Sequence, residues 1–387
     1  MTRFCLIGPT YPYRGGIAHY TTLLARHLRE EGHEVLLLSF SRQYPNWLFP
    51  GKSDKDPSER PLRAEAEYIL DPINPLTWRR TLKRIKEWRP DVVIIPWWHP
   101  YFAPAWSILS RGIKRMKSAS RLIFICHNVL PHEQGRFSKL LLPSVIRITL
   151  GKGDGFIVHS QVDETILRSF LPPARITVTP HPTYAALGDV DTTAVALPVT
   201  LPDDRPLLLF AGFVRPYKGL DILLDALPLV LAEMPVHLLA AGEFWQGGEA
   251  QYRRQIRDLG IEEHVTIINE YLPDELLAAC IDRADVVVLP YRSATQSGVI
   301  QAAFGRNTPV ITTDVGGLAE VVENGRTGLV VPPEDAAALN GAINQFFVEN
   351  YVKTFHNNIR LKSKQFSWNS LIQNIYYLTD LYFFPLQ

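Results

Sequence analysis

The sequence predicts an α/β protein made of two parallel-sheet domains. Short apolar runs alternate with helix-period segments through both halves, the pattern of strand–helix–strand crossovers. At 387 residues the chain is too long for one ordinary core and suits two of similar size. From 182 to 206 the periodicity breaks into Thr, Ala, Pro and Asp, as a linker would. The domain limits expected from this are 1–183 and 206–365, joined by a linker at 184–205. The terminal segment 366–387 is aromatic and helix-patterned over 366–384, and is expected to pack back on the first domain.

In the first half, strand 4–7 leads to a helix over 17–31, which Gly32 ends as a C-terminal glycine does, and then to strand 34–40. A polar, proline-bearing stretch at 43–63 reads as a long surface loop. Strands recur at 91–96, 121–126, 155–159 and 176–179. In the second half they fall at 207–211, 236–241, 265–269, 285–289, 309–313 and 328–331. There is no short-period repeat and no low-complexity tract.

Composition narrows the class. Apolar residues make up 46% and charged residues 20%, which fits a globular, soluble chain. Lysine plus arginine (40) nearly balance aspartate plus glutamate (39), so no global field favours nucleic acid as a partner. Cys5, Cys126 and Cys280 sit in separate apolar segments and read as reduced core residues. The opening MTRFCLIGP enters a strand at once, leaving no room for a signal peptide. No stretch of about 20 apolar residues could span a bilayer. A cytoplasmic location is expected.

The stretch ADVVVLPYRSATQSGVIQAAFGRNTPVITTDVGGLAEVV organises the reading. A buried strand runs into a Ser/Gly turn, Ser293 to Gly298, that opens a helix. Such a turn aims backbone N–H groups and the positive end of the helix dipole at one point, which suits a phosphate. An ordinary strand–helix turn is the alternative. In GPTYPYRGGIAHY, Gly15 and Gly16 let the backbone approach a ligand closely, or simply turn the chain. The segment is not a G-x-G-x-x-G fingerprint, and no acidic residue ends the second strand.

The second half opens with LLLFAGFVRPYKGLDILLDAL, which places Arg215 and Lys218 at the carboxyl edge of the sheet. Two cations beside a helix N-terminus are what a diphosphate needs; two solvated surface cations are the plainer reading. Glu243 ends a strand in AGEFW, and the Tyr271–Leu272–Pro273 loop could pass its backbone over a flat base. In IFICHNVLPHE, His127 ends a strand, and in FIVHSQ, His159 ends the next. Strand-end histidines can exchange protons with a reacting sugar, or serve as structural hydrogen-bonding groups. His132 and Glu133 lack ligand spacing, and Asp189 and Asp191 mimic a D-x-D motif but fall in the linker. No metal site is expected.

Taken in order, these motifs resemble the family 4 retaining glycosyltransferases (glycosyl transferases group 1) over nearly the whole chain. The stretch TDVGGLAEVVENGRTGLVV is the most specific part. The resemblance implies the GT-B fold, two Rossmann-like domains facing across a cleft. It implies a nucleotide-diphosphate sugar donor (UDP- or GDP-) held mainly by the second domain, and a glycan, lipid-linked glycan or small-molecule acceptor mainly by the first. Retention at the transferred carbon, no metal, no bound cofactor and a place in polysaccharide biosynthesis are also implied. By residue, Gly15 and Gly16 would approach the diphosphate and Lys218 with Arg215 would neutralise it. Leu272 would meet the base, and Ser297, Gly298 and Val299 would offer the helix N-terminus to the phosphates. Glu243 would line the donor side, and His127 would stand near the sugar.

The chain departs from the family twice. Two glutamates separated by seven residues are usual, and Ser293 and Gln301 stand there. Gln301 can still hydrogen-bond a ribose diol, whereas Ser293 cannot act as a carboxylate. The usual arginine after the strand glycine is Phe213, with Arg215 two residues on. A catalytically silent nucleotide-sugar-binding protein and a GT-B epimerase are the alternatives. Finally, PWWHPYFAPAWSILSRGIKRMK combines aromatics with Arg111, Lys114, Arg115 and Lys117. Residues 105–118 thus read either as a basic helix resting on the inner face of an anionic membrane or as a core-packed helix with a solvated basic face.

Overall fold

The apolar runs become strands that, away from the sheet edges, are buried on both faces, as parallel sheets require. The computed structural model describes residues 1–45, 51–59, 61–116, 120–131, 136–183, 190–362 and 366–381, with the backbone alone for 136–140. The chain divides into two units, one of Met1–Asp56, Pro61–Pro180 and Trp368–Gln387, the other of Pro57–Arg60 and His181–Ser367.

The first unit carries β1 (Arg3–Ile7), β2 (Glu34–Phe40), β3 (Glu67–Leu70), β4 (Val92–Trp97), β5 (Arg121–Cys126), β6 (Gly155–Val158) and β7 (Ile176–Val178). They form one sheet in the order β3-β2-β1-β4-β5-β6-β7, parallel at every pairing. Between these strands run the helices α1 (Gly16–Glu30), α2 (Pro75–Trp88), α3 (Ala103–Lys114), α4 (Arg136–Leu150) and α5 (Gln161–Phe170). The second unit carries β8 (Leu207–Ala211), β9 (His237–Ala241), β10 (Val265–Ile268), β11 (Val286–Leu289), β12 (Val310–Thr313) and β13 (Gly328–Val331). Their order is β10-β9-β8-β11-β12-β13, again all parallel.

The two-sheet α/β expectation therefore holds, and the predicted strand ends move by a residue or so, as frayed ends do. One strand was not anticipated. Glu67–Leu70 (β3) is four residues long and pairs only with β2 at the sheet edge, too short to leave a periodic signal. Lys117, His132, Glu133 and Asp189, with parts of the 43–63 loop, the linker and the tail, lie outside the described residues.

Strand order reverses between β1 and β4 in the first sheet and between β8 and β11 in the second. At such a switch point the two flanking connections leave in opposite directions and open a crevice at the carboxyl ends of the strands. In the second unit those connections are 212–219 and 290–297, the two stretches singled out from sequence.

The Trp368–Thr379 helix belongs to the first unit and buries Leu371, Ile372, Ile375 and Leu378. The Tyr376 hydroxyl donates to Glu31, and Asp380 pairs with Arg121 at 2.8 Å and with Arg175 at 3.1 Å. Gly155 makes room for this helix, since a Cβ there would lie 3.0 Å from Leu378 Cβ. Leu378→Ala is expected to cost about 2–5 kcal/mol, from lost transfer energy plus the cavity left behind. Urea denaturation followed by tryptophan fluorescence measures it.

Candidate functional site

Strand β8 ends at Ala211, and Gly212 follows at φ +100°. A side chain there would be strained, and its Cβ would also meet Lys218 Nζ at 2.9 Å and Val299 Cγ2 at 3.2 Å. The missing side chain thus lets the lysine ammonium lie against the strand end, beside the first turn of the Gly298–Gly305 helix. Lys218 closes a single 3₁₀ turn, Pro216–Lys218, before Gly219 opens the Leu220–Glu233 helix at φ +70°. Gly219 passes so close to the 290–297 connection that a Cβ would sit 2.0 Å from the Pro290 carbonyl oxygen. Two glycines therefore clamp the Lys218 turn between both connections of the switch point.

Lys218 is only 9% exposed, and no carboxylate pairs with it among the described residues. Its Nζ stands 5.3 Å from the centre of the Tyr291 ring, a weak substitute for a counter-ion. Burial pulls its pKa below the ordinary 10.5; Tyr217 opposes this and Arg215 adds to it. A buried cation without a partner is expensive, and an anionic ligand would relieve the cost.

Ser297 precedes the Gly298–Gly305 helix, and its side chain does not cap it. Gly298 is exposed and Val299 half-buried, so the first-turn N–H groups, which have no intrahelical acceptor, open outward. Burial pushes the Tyr291 hydroxyl up to about 12, and Ser297 beside it partly offsets this. One turn along the helix, Gln301 is fully buried, and neither its Oε1 nor its Nε2 has a hydrogen-bond partner among the described residues. A carboxamide left this way costs stability, and a ligand offering both a donor and an acceptor would relieve that cost.

Of the other expected residues, Arg215 lies over the Phe213 ring at 5.2 Å and the Trp245 ring at 5.6 Å. The arginine two residues late thus rests on the residue that replaced it. Glu243 is buried at the end of β9, its carbonyl accepting from Val214 N at 2.9 Å. Leu272 is buried in an irregular loop ahead of the Asp274–Arg283 helix. Lys218, Val299 and Ser297 come together, with Gly212 and Tyr291 as members that sequence reasoning passed over. Tyr291 was legible as the residue directly after Pro290, where the chain leaves β11.

In the first unit Gly15 takes φ +101° and its carbonyl accepts the N–H groups of Ala18 and His19, while Gly16 is exposed at the start of α1. His127 follows β5 and donates its N–H to Trp97 O at 2.8 Å. Its ring stands edge-on to Tyr20 at 4.6 Å and lies 5.4 Å from the His159 ring. Tyr20 also meets Trp368 at 5.1 Å, and His159 Nδ1 hydrogen-bonds the Thr179 carbonyl at 2.8 Å. The two strand-end histidines share one aromatic cluster whose centre, Tyr20, no motif announced. Asp191 holds a turn, accepting from the Thr193 N–H and hydroxyl. Trp106 is core, whereas Arg111, Lys114 and Arg115 are exposed, Lys114 pairing with Asp154 at 2.7 Å.

Residues 205–348 match the family model for glycosyl transferases group 1, and residues 15–182 match that for the glycosyl transferase 4-like domain. A D-inositol 3-phosphate glycosyltransferase of Jonesia denitrificans is 26% identical over 228 residues, 57% of this chain and 50% of that protein. The chain spans about half the length of such relatives. A phosphatidyl-myo-inositol mannosyltransferase of Mycolicibacterium smegmatis is 25% identical over 87% of this chain and 83% of that protein. Among solved structures, sucrose-phosphate synthase of Thermosynechococcus elongatus gives a TM-score of 0.73 at 20% identity, covering 97% of this chain and 98% of its own. Anabaena HepE, solved in complex with UDP, gives 0.69 at 18% identity, covering 98% of this chain and 100% of its own. These likenesses show the fold.

Proposed function

This chain belongs to the glycosyl transferases group 1, and from that premise we propose that it moves a sugar from a UDP- or GDP-linked donor to a glycan, lipid-linked or small polyol acceptor. The transfer proceeds with retention and without metal. The observation that carries the reading is the buried Lys218 ammonium, with no ion-pair partner among the described residues, beside the open N-terminus of the Gly298–Gly305 helix. A diphosphate is the ligand whose charge both features would stabilise.

In this reading the acceptor hydroxyl attacks from the face the leaving group departs, and its proton passes to the departing phosphate oxygen. Lys218, Arg215 and the amides of Gly298 and Val299 stabilise the charge that grows there, the dominant catalytic term. Within the second unit, Leu272 and Glu243 line the base and donor side. Gln301 takes one ribose hydroxyl as donor and the other as acceptor. Relatives named for inositol phosphate and phosphatidyl-inositol support a polyol or lipid-linked acceptor. Incubation with UDP- and GDP-sugars, with and without EDTA, followed by NMR of the product anomer, tests donor, metal and stereochemistry together. Inversion, or loss of turnover in EDTA, would sink the corresponding part.

Ser293, where a glutamate is usual, favours a second reading as a silent nucleotide-sugar binder. Tight donor binding with no hydrolysis and no transfer would select it. For Gln301→Met we expect an unchanged or raised unfolding midpoint without ligand and a donor KM raised about tenfold, with kcat near wild type. Initial-rate kinetics and thermal scans give both readings.

A further inference from the structure

In the first sheet, β3→β4, β4→β5 and β5→β6 all step in one direction, so right-handed crossovers put α2, α3 and α4 on one face. α3 packs between the other two, and Gly112 brings it so close to α2 that a Cβ would lie 2.5 Å from Leu82. The buried stripes of these helices (Trp78, Thr81 and Ile85 on α2; Trp106, Leu109 and Ile113 on α3; Leu142 and Ile146 on α4) face the sheet. Helical spacing then sends the opposite stripes outward.

That outer surface is basic and partly apolar. α2 presents Arg79, Arg80, Lys83 and Lys86, and α3 with its C-terminal cap presents Arg111 and Arg115, all exposed. Apart from Lys83, which stands 3.8 Å from Glu87, none of the six has an ion-pair partner among the described residues. Between and beside them lie Leu76, Ile108, Leu141 and Ile148, with Leu141 64% exposed. A balanced chain with a net charge of +1 has therefore gathered six exposed cations, five of them without an ion-pair partner among the described residues, and large exposed side chains on one layer. A solvated helix face explains the cations but not the four aliphatic side chains set among them.

We propose that this layer docks on the surface of an anionic lipid bilayer. Cations near such a surface are drawn by its negative potential, and the aliphatic side chains enter the headgroup boundary. No helix among the described residues is long and apolar enough to cross a membrane, so the contact is interfacial. The inference extends the basic helix at 105–118 to three helices, and it is independent of the transferase reading because docking needs no donor.

The test is flotation of the full chain with vesicles of phosphatidylcholine alone or with about one-third phosphatidylglycerol, without nucleotide. Wild type is expected to float with the anionic vesicles only, and less so at high salt. Each cation removed should weaken partition about fivefold, so R111Q/R115Q and R79Q/K83Q should each lower it roughly twenty-five-fold. L141S/I148S should weaken it at any salt, while R254Q/R257Q, exposed on the Glu249–Leu259 helix, should not. Circular dichroism and unfolding midpoints confirm that each variant is folded. Equal flotation with neutral vesicles, no flotation, or pair variants that float like wild type would overturn the proposal. Binding to RNA or to a protein without binding to vesicles would overturn it as well.

Discussion

Lys218→Met is expected to yield a protein that is more stable than wild type and almost inactive. The ammonium is buried with no carboxylate beside it among the described residues, so an apolar side chain of similar length removes a desolvation cost. By analogy with other buried ions replaced by apolar groups, the gain is about 1–4 kcal/mol. The same change removes the cation proposed to stabilise the leaving diphosphate, which should lower kcat by about 10²–10³-fold. A merely structural lysine would show neither the gain nor the selective loss. Its pH signature has a definite sign. A lysine whose pKa is lowered on folding binds fewer protons in the native than in the unfolded state, just below the ordinary value of 10.5. Stability of wild type should therefore rise with pH through that window, and Lys218→Met should lack the rise. Urea denaturation at several alkaline pH values, with and without a nucleotide diphosphate, measures all of this. A variant that turns over at the wild-type rate, or keeps the full nucleotide-induced stabilisation, would remove Lys218 from the site.

Much of this was legible in the chain. The buried runs Leu207–Ala211 and Val286–Leu289 are unmistakable strands, and the polar, glycine-bearing segments after them could only be their carboxyl-end connections. That the two strands are neighbours, and so flank a switch point, is a matter of sheet order, which local periodicity does not encode. Lys218 was visible as a cation between strand and helix, but its burial depends on Gly212 and Val299, and Val299 lies some eighty residues away in the chain. Gln301 was visible as a substituted glutamate, whereas its two orphaned amide atoms follow from packing alone. On the first unit the strand-end histidines were readable and the Tyr20–Trp368 contact between them and the terminal helix was not. Side chains drawn together from distant segments leave no trace in spacing.

Gly316→Ala should be far more damaging than its size suggests. Gly316 begins the Gly-Gly turn after β12 at φ +52°, where a side chain is strained by about 1–3 kcal/mol. Its Cβ would also fall 1.6 Å from the Ala294 carbonyl oxygen, a position it cannot occupy unless the 290–297 connection moves. That connection and the end of β11 before it are held to β12 and to the turn after it. Thr312 Oγ1 donates to Leu289 O at 3.1 Å, Thr313 Oγ1 donates to Tyr291 O, and Gly317 N donates to Thr295 O at 3.1 Å. Displacing Ala294 strains this set and shifts Ser297 and Val299, the turn that meets Lys218. We expect a loss of about 3 kcal/mol or more together with a loss of nucleotide-induced stabilisation. Gly325→Ala separates the two causes, because Gly325 has a similar φ of +74° but nothing within 4 Å of its Cβ. It should cost only the backbone term and leave the nucleotide response intact. If thermal scans found equal losses in the two variants, backbone strain alone would account for Gly316, and the phosphate-facing turn would not depend on the close approach at Ala294.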